Sequence, residues 1–217
     1  MQLVLSRSDG LYLPVDFEFD DLILAGWSGR DESKVLKHIK ELKELGIPPP
    51  TSVPSFFRVG AHLLTTRRNF RSFGDRNNGE VEYVLFVREG RPLYVTVGSD
   101  HTSRDLERRS IPLSKRVYPK VIPPVVWSYM DVRDHWDELL LRMYVDGELA
   151  QESKLSTILA PEDLLSRLEP GNFVLFSGSI TWIDGLKFGS EYRMEIVDPI
   201  LVRKIAYSYS LTPGSQP

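Results

Sequence analysis

One segment, EVEYVLFV over residues 80–87, constrains the fold more than any other part of the chain. Beyond Glu82 its apolar side chains occupy both alternating faces, so as a β-strand it has to be covered on both sides. Glu80 and Glu82 are two residues apart and therefore share one face at the mouth of this strand. Neighbouring carboxylates beside a buried strand are unfavourable unless a counter-charge is present or one group takes up a proton. The pattern predicts either a solvated strand end or a functional pair of carboxylates.

A third carboxylate follows in the next segment, YVTVGSDHTSRDLERR. This segment predicts a strand, a turn that carries Asp100, and a short helix that carries Arg104. If the turn lies beside Glu80 and Glu82, three carboxylates share one site. Hard oxygen ligands of this kind select magnesium, manganese or calcium rather than zinc or copper. Arg104 either pairs with a nearby acid or offsets the surplus negative charge that three carboxylates leave around one divalent ion.

Most of the remaining chain shows strand patterns, and the helices are few. One amphipathic helix is predicted from Asp31, as N-cap, to Gly46, where three prolines follow. Asp146 and Gly147 between alternating apolar residues indicate a hairpin. Strands are predicted at 80–87, 92–98, 138–151, 172–178 and 191–198, and short helices at 103–109 and 161–168. We expect one β-rich α+β domain over residues 1–217, built as a rolled sheet or distorted barrel with short helices and ending in a flexible tail at 211–217.

Composition excludes several classes of function. The chain has 217 residues, a net charge of −3 and no cysteine, so disulfides, thiolate nucleophiles and cysteine zinc sites are impossible. Its basic residues are spread along the sequence, whereas a nucleic-acid-binding domain concentrates them in a basic patch. No apolar run approaches the ~18 residues that span a bilayer. We therefore expect a cytoplasmic protein without a secretory signal, without nucleic acid and without a membrane partner.

The carboxylate segments resemble those of the fumarylacetoacetate hydrolase family. The family's Glu-x-Glu strand matches residues 80–82, and its Asn-Asp-x-Ser-Ala-Arg-Asp-x-Gln signature matches residues 99–107. The resemblance implies a mixed β-sandwich roll, best matched over residues 25–205, and a divalent cation, Mg²⁺ or else Mn²⁺ or Ca²⁺, on Glu80, Glu82 and Asp100. A family lysine ahead of a proline and an apolar run is matched by Lys115, with Pro123 before Val125. This lysine would stabilise an oxyanion or bind a substrate carboxylate.

Further family features assign the remaining site residues. A mobile helix with a His-x-x-Glu dyad is matched by His38 and Glu41, with Glu44 as an alternative partner. Helical geometry favours Glu41, because Glu44 falls on the far face. The substrate-binding residues implied by the resemblance are Arg104, Glu107, Ser179 and Arg58. Three positions depart from the family pattern: Ser99 replaces asparagine, Glu107 replaces glutamine and Arg58 replaces lysine, and the first two lie where substrate would bind.

The resemblance implies a Mg²⁺-dependent hydrolase that cleaves a C–C bond in a small β-diketo acid through an enolate stabilised by the cation. In this hypothesis the His38–Glu41 dyad activates water and Lys115 stabilises the oxyanion. Decarboxylation, tautomerisation and hydration pass through the same enolate and stay open as alternatives, as does a non-catalytic role in binding small acids. The resemblance also implies a homodimer, for which the apolar, proline-rich segment 117–129 gives weak further support.

Overall fold

The computed structural model describes residues 1–44 and 49–214, and 17 strands and five α-helices lie in this part of the chain. The strands are β1 Gln2–Ser6, β2 Tyr12–Asp16, β3 Asp21–Gly26, β4 Ser55–Val59, β5 Leu64–Thr65, β6 Asn69–Ser72, β7 Asn77–Asn78, β8 Val81–Arg88, β9 Arg91–Asp100, β10 Thr102–Ser103, β11 Lys120–Val121, β12 Val125–Ser128, β13 Leu140–Val145, β14 Glu148–Lys154, β15 Phe173–Phe176, β16 Glu191–Asp198 and β17 Arg203–Pro213. The α-helices are α1 Glu32–Glu44, α2 Arg104–Glu107, α3 Ile111–Ser114, α4 Tyr129–Val132 and α5 Pro161–Leu165, and short 3₁₀ helices span Ala61–Leu63, Arg133–Glu138 and Leu155–Thr157.

The strands form two large mixed sheets. Eight strands of the ten-stranded sheet lie in the order β2-β1-β12-β9-β8-β15-β3-β4, and β11 joins through β9 and carries β5. The five-stranded sheet has the order β14-β13-β16-β17-β6, and β7 pairs separately with β10. Leu3 of β1 and Val59 of β4, from opposite halves of the strand order, belong to one apolar cluster, which indicates that the ten-stranded sheet rolls around it. The predicted β-rich mixed class is confirmed, as open rolled sheets.

Strand β8 runs through the middle of the molecule and separates two apolar cores. Tyr83 and Leu85 point to the core between the two large sheets, whereas Val84 and Phe86 point to the core inside the rolled sheet. All four side chains are fully buried. This is the two-sided burial that the apolar pattern predicts, and it places the start of β8 deep in the protein.

The predicted strands are present, with shifted ends. The hairpin at Asp146 and Gly147 is formed by β13 and β14, and both turn residues have positive φ, at 48° and 85°. The sequence pattern did not predict β17, and the first three residues of the predicted flexible tail, 211–213, belong to this strand and pair with β6. Pairing with a neighbour distant in sequence outweighs the polar composition of this segment. The final part of the predicted tail, 215–217, lies outside the described residues.

Helix α1 begins where the sequence predicts. Asp31 caps it, because the side-chain Oδ1 accepts the backbone N–H of Lys34 at 3.3 Å. The predicted apolar stripe is buried less than expected, since Val35 and Ile39 are only half-buried and Leu36 is exposed. The predicted stop at residues 46–48 lies outside the described residues. Within the part of the chain that is described, no helix combines the length and the apolar character needed to cross a bilayer.

Candidate functional site

Strand register brings four charged side chains to one face of the rolled sheet. Asp100 lies opposite Glu80 across β9 and β8, since its backbone N–H donates to the Glu80 carbonyl at 3.0 Å. On the other side of β9, Lys120 of β11 is the direct partner of Asp100. Because side chains two residues apart share a face, Glu82 points the same way as Glu80. Its partner is Gly98, where an added Cβ would meet Val84 at 2.5 Å and Phe176 at 2.6 Å, so apolar side chains fill the space over this glycine.

Asp100 lies at the centre of this cluster and binds two ammonium groups. Lys120 Nζ lies 2.6 Å from Asp100 Oδ1, and Lys115 Nζ bonds to Oδ2 of the same carboxylate. Asp100 and Lys120 are fully buried and the Lys115 side chain is 8% exposed. Burial opposes ionisation of Asp100, but Lys115 and Lys120 outweigh that effect and hold the pKa of this carboxyl below its usual value. Asp100 is therefore ionised throughout the physiological pH range.

Glu80 is neutralised mainly by Arg104. Arg104 Nη2 lies 2.9 Å from Glu80 Oε1, and Lys115 Nζ lies 3.7 Å from Oε2. The guanidinium also binds Glu107 at 2.7 Å and donates from Nε to Asn78 Oδ1 at 2.6 Å. Burial acts to raise the pKa of Glu80, but Arg104 and then Lys115 bring it below its usual value. Arg104 thus joins Glu80 to Glu107 at the rim of the site.

Glu82 is the carboxylate without a cation of its own. It is 1% exposed, and Oε2 accepts the backbone N–H of Gly178 at 2.8 Å. Burial, and then the charge of Asp100, raise the pKa of Glu82 well above its usual value. A buried carboxylate in this position either holds a proton or needs a further positive charge beside it. The sequence predicts this conflict for the pair Glu80 and Glu82, and in the structure Glu82 is the member whose pKa is raised.

Lys120 is the site residue that sequence reasoning missed. Lys120 lies in the apolar run KVIPPVVW, where a lysine is unexpected unless it is paired with an acid. That position is the sequence signal that could have identified it as a site residue. Its ammonium binds Asp100 and donates to the backbone carbonyl of His101 at 2.8 Å. Burial lowers the pKa of Lys120, although Asp100 opposes the shift. The site therefore contains two lysines, Lys115 and Lys120, whereas the sequence predicted only Lys115.

The oxygen donors of the site are those that a hard divalent cation prefers. Glu80, Glu82 and Asp100 supply carboxylates only, which suits Mg²⁺, Mn²⁺ or Ca²⁺. An ion of this kind would also supply the positive charge that an ionised Glu82 needs. Over residues 1–44 and 49–214, however, no group of three His, Cys, Asp or Glu side chains is arranged to hold an ion. The donor set fits a cation, but the ammonium of Lys115 stands between two of its members.

The dyad predicted on α1 is formed loosely and at the surface. His38 Nδ1 lies 3.7 Å from Glu41 Oε2, and the two side chains are 60% and 56% exposed. The imidazole lies against Trp27, with 5.7 Å between ring centroids. Trp27 also lines a cavity of about 310 Å³ whose lining includes Glu107. The cavity therefore meets the dyad through Trp27, and the buried charges through Glu107, which is paired with Arg104.

The two remaining predicted residues lie differently. Ser179 is next to Gly178, the backbone donor to Glu82, and its hydroxyl accepts from Gln151 Nε2 at 2.9 Å. Arg58 lies away from the cluster: it forms an ion pair with Asp21, at the opposite end of the sheet from Gly178. The structure therefore brings Ser179 to the edge of the site and leaves Arg58 outside it.

Comparison with solved structures identifies the fold. A protein from Oleispira antarctica, described as a candidate fumarylacetoacetate isomerase/hydrolase, aligns with 96% of this chain and 99% of its own at 16% identity and a TM-score of 0.68. A yeast fumarylacetoacetate hydrolase family protein gives 17% identity, 92% and 95% coverage and a TM-score of 0.66. A 2-keto-3-deoxy-D-arabinonate dehydratase complexed with magnesium and 2,5-dioxopentanoate gives 15% identity, 91% and 74% coverage and a TM-score of 0.60. The protein has the fumarylacetoacetate hydrolase fold, as the sequence motifs predicted.

A family assignment follows at the level of sequence. The chain belongs to the family described as "Protein of unknown function (DUF2848)", whose model matches residues 25–209. No curated protein matches the sequence.

Proposed function

We propose that this protein is an enzyme that acts on a small oxo acid, with the buried cluster around Asp100 as its active site. The observation that carries the proposal is the burial of Glu82 and Asp100 together with Lys115 and Lys120. Buried charges are a poor source of stability, because desolvation offsets their attraction, and apolar residues could fill the same space. Charged groups with shifted pKa values beside a cavity are typical of catalytic sites. One fold neighbour, the dehydratase, was crystallised with magnesium and an oxo acid.

In this proposal Glu80, Glu82 and Asp100 hold a divalent cation, Mg²⁺ or else Mn²⁺ or Ca²⁺. When bound, such a cation polarises a carbonyl oxygen and stabilises the negative charge of an enolate. Arg104 and Glu107, which are ion-paired at 2.7 Å, form the substrate-facing rim. The Ser179 hydroxyl, beside Gly178, contributes a further polar contact.

The reaction we propose is the hydrolysis of a C–C bond in a small β-diketo acid of the acylpyruvate type. Glu41 orients the imidazole of His38, which takes a proton from water. The water oxygen bonds to the carbonyl carbon, and the ammonium of Lys115 stabilises the oxyanion that forms. The C–C bond then breaks, its electron pair leaves as the enolate of the second oxo acid, and a proton completes that product.

Acetylpyruvate with MgCl₂ provides the test. We expect equal amounts of acetate and pyruvate, and Asp100→Asn should lower the rate by about 10²-fold or more because it removes a central charge. Glu152→Gln, which alters an ion pair with Arg142 on the surface of β14, is the matched control and should keep the rate. Release of CO₂, or isomerisation of a small oxo acid, would contradict the hydrolase reaction and would indicate another enolate reaction at the same site. Binding without turnover across such a panel would contradict the enzyme proposal.

A further inference from the structure

The ammonium of Lys115 occupies the position between two of the carboxylates assigned to the cation. It bonds to Asp100 Oδ2 and lies 3.7 Å from Glu80 Oε2. Its remaining contact, with Thr102 Oγ1 at 3.5 Å, is also to a side chain. A divalent ion shared by Asp100 and Glu80 would have to lie within a few ångströms of this Nζ. Two positive groups so close in a buried site repel each other strongly.

Lys115 and Lys120 differ in how the backbone that carries each lysine is anchored. Lys120 lies in β11, which is paired with β5 on one side and β9 on the other, and its ammonium is also bound by the His101 carbonyl. Lys115 follows the four-residue helix α3, and the nearby Leu113 and Val117 are 53% and 47% exposed. The contacts of its ammonium are all with side chains, and its backbone lies in a short segment with exposed residues on both sides.

Burial lowers the pKa of Lys115, but Asp100 and then Glu80 outweigh burial and raise it, so the ammonium leaves only if another cation takes over these carboxylates. Lys115 is the lysine that can then withdraw without breaking strand pairing.

The charges of the site favour such an exchange. With Lys115 in place, Asp100 has two cations while Glu82 has only a backbone N–H. A divalent ion among Glu80, Glu82 and Asp100 would supply the missing charge at Glu82 and would make Lys115 redundant at Asp100. Glu107, at the rim, also attracts the ammonium of Lys115 and remains available to it after withdrawal.

We propose that Lys115 is a displaceable internal cation, which holds the carboxylates together when no divalent ion is bound and leaves them when an ion enters. This inference rests on the proposed function, since it assumes the same cation site. After displacement the ammonium moves toward Glu107, which lines the cavity of about 310 Å³ in which an anionic substrate would bind. Binding of the metal ion would then also make Lys115 available to bind the substrate.

Calorimetric titration with MnCl₂ tests the competition between the ion and the ammonium. Lys115→Met keeps the apolar stem and removes the competing charge, so we expect Mn²⁺ to bind at least about 10-fold more tightly than in the wild type. Lys154→Met removes a surface lysine paired with Glu138 and should leave the affinity within about 2-fold, as expected for an exposed pair. Equal Mn²⁺ affinities of Lys115→Met and the wild type would overturn the inference while the cation site stands. If neither protein binds Mn²⁺, the cation site of the proposed function fails as well.

Displacement itself is tested on the wild-type protein, which needs no variant to fold. Acetylation with N-acetoxysuccinimide, followed by peptide mass spectrometry, reports the accessibility of each lysine with EDTA or with Mn²⁺. We expect Mn²⁺ to increase labelling of Lys115 several-fold and to leave Lys120, the internal reference, protected. Unchanged labelling of Lys115 at saturating Mn²⁺ would overturn the displacement, even if Lys115→Met binds the ion more tightly.

Discussion

Lys120 shows, at the scale of one residue, how a buried charge affects the stability of the fold. Lys120→Met should lower the free energy of unfolding by about 3 kcal/mol, at the low end for breaking a buried ion pair, because Lys115 still compensates Asp100. Lys154→Met breaks an exposed pair and should cost less than about 1 kcal/mol. Urea denaturation of both variants in EDTA measures the two changes. Similar small losses in both would show that Lys120 is not a structural partner of Asp100.

Glu82 should make the stability of the protein depend on pH. Burial, and then Asp100, raise the pKa of Glu82 in the folded state above the usual 4.5, so the folded protein keeps a proton that the unfolded chain releases. The associated stability is complete below about pH 4.5 and is lost as pH rises through the raised pKa. Glu82→Gln removes this loss and still offers an acceptor to Gly178.

The prediction for Glu82 is a pH-dependent difference in melting temperature, measured in EDTA by differential scanning calorimetry. The melting temperature of Glu82→Gln should rise relative to the wild type as pH increases above about 4.5. Glu152→Gln, an exposed surface carboxylate, should follow the wild type across the same range. A constant difference for Glu82→Gln between pH 5 and pH 8 would contradict the assignment of a raised pKa.

At the scale of secondary structure, strand alternation predicted which side chains share a face but not which strands are neighbours. The spacing of Glu80 and Glu82 gives their common direction from two residues alone. The pairing of Lys120 with Asp100 depends on the register of β11 against β9, which no local pattern contains. Lys115 was predicted from the order of the motifs, and it lies close to the carboxylates. Arg58 was predicted in the same way, but it lies at the far end of the sheet. Sequence periodicity therefore predicted much of the core and part of the site.

Helix α1 carries a prediction about its own polar face. His38 Nδ1 lies 3.7 Å from Glu41 Oε2, one turn away, a contact that favours Glu41 over Glu44 as the partner of the imidazole. If the dyad is the general base, His38→Ala should lower turnover by about 10²–10⁴-fold. Glu41→Gln should lower turnover too, and the matched Glu44→Gln should not, while Mn²⁺ affinity stays unchanged in all three variants. Full activity of His38→Ala would place the base elsewhere and leave the carboxylate site unaffected.

At the scale of the whole molecule, the expected dimer interface needs revision. Most apolar residues of segment 117–129 are buried within the chain, so they cannot also form a subunit interface. Two exposed apolar features lie close to one another instead. Met130 is 59% exposed, and Arg203, which directly follows the apolar turn 200–202, lies 3.5 Å from Asp131. This surface, Met130 with the turn 200–202, is therefore exposed where most of segment 117–129 is not.

Val202 within this surface supports association. It is 88% exposed and has a φ of 51°, a left-handed conformation that a β-branched residue adopts at an energetic cost. Neither core packing nor backbone preference explains a valine there, whereas contact with a second copy of the chain would. We propose that the protein is a homodimer joined through this surface. Light scattering at micromolar concentration should then give twice the 24.8 kDa mass of the chain.

Val202→Asp should convert this dimer to a monomer. Aspartate tolerates the left-handed conformation better than valine, so the change tests association without straining the fold. The added charge would be buried between two copies, and its desolvation opposes assembly. Leu11→Asp introduces the same charge at an exposed turn before β2 and should remain dimeric. A wild-type mass near 24.8 kDa would refute the homodimer, and a dimer that survives Val202→Asp would move its interface to another surface.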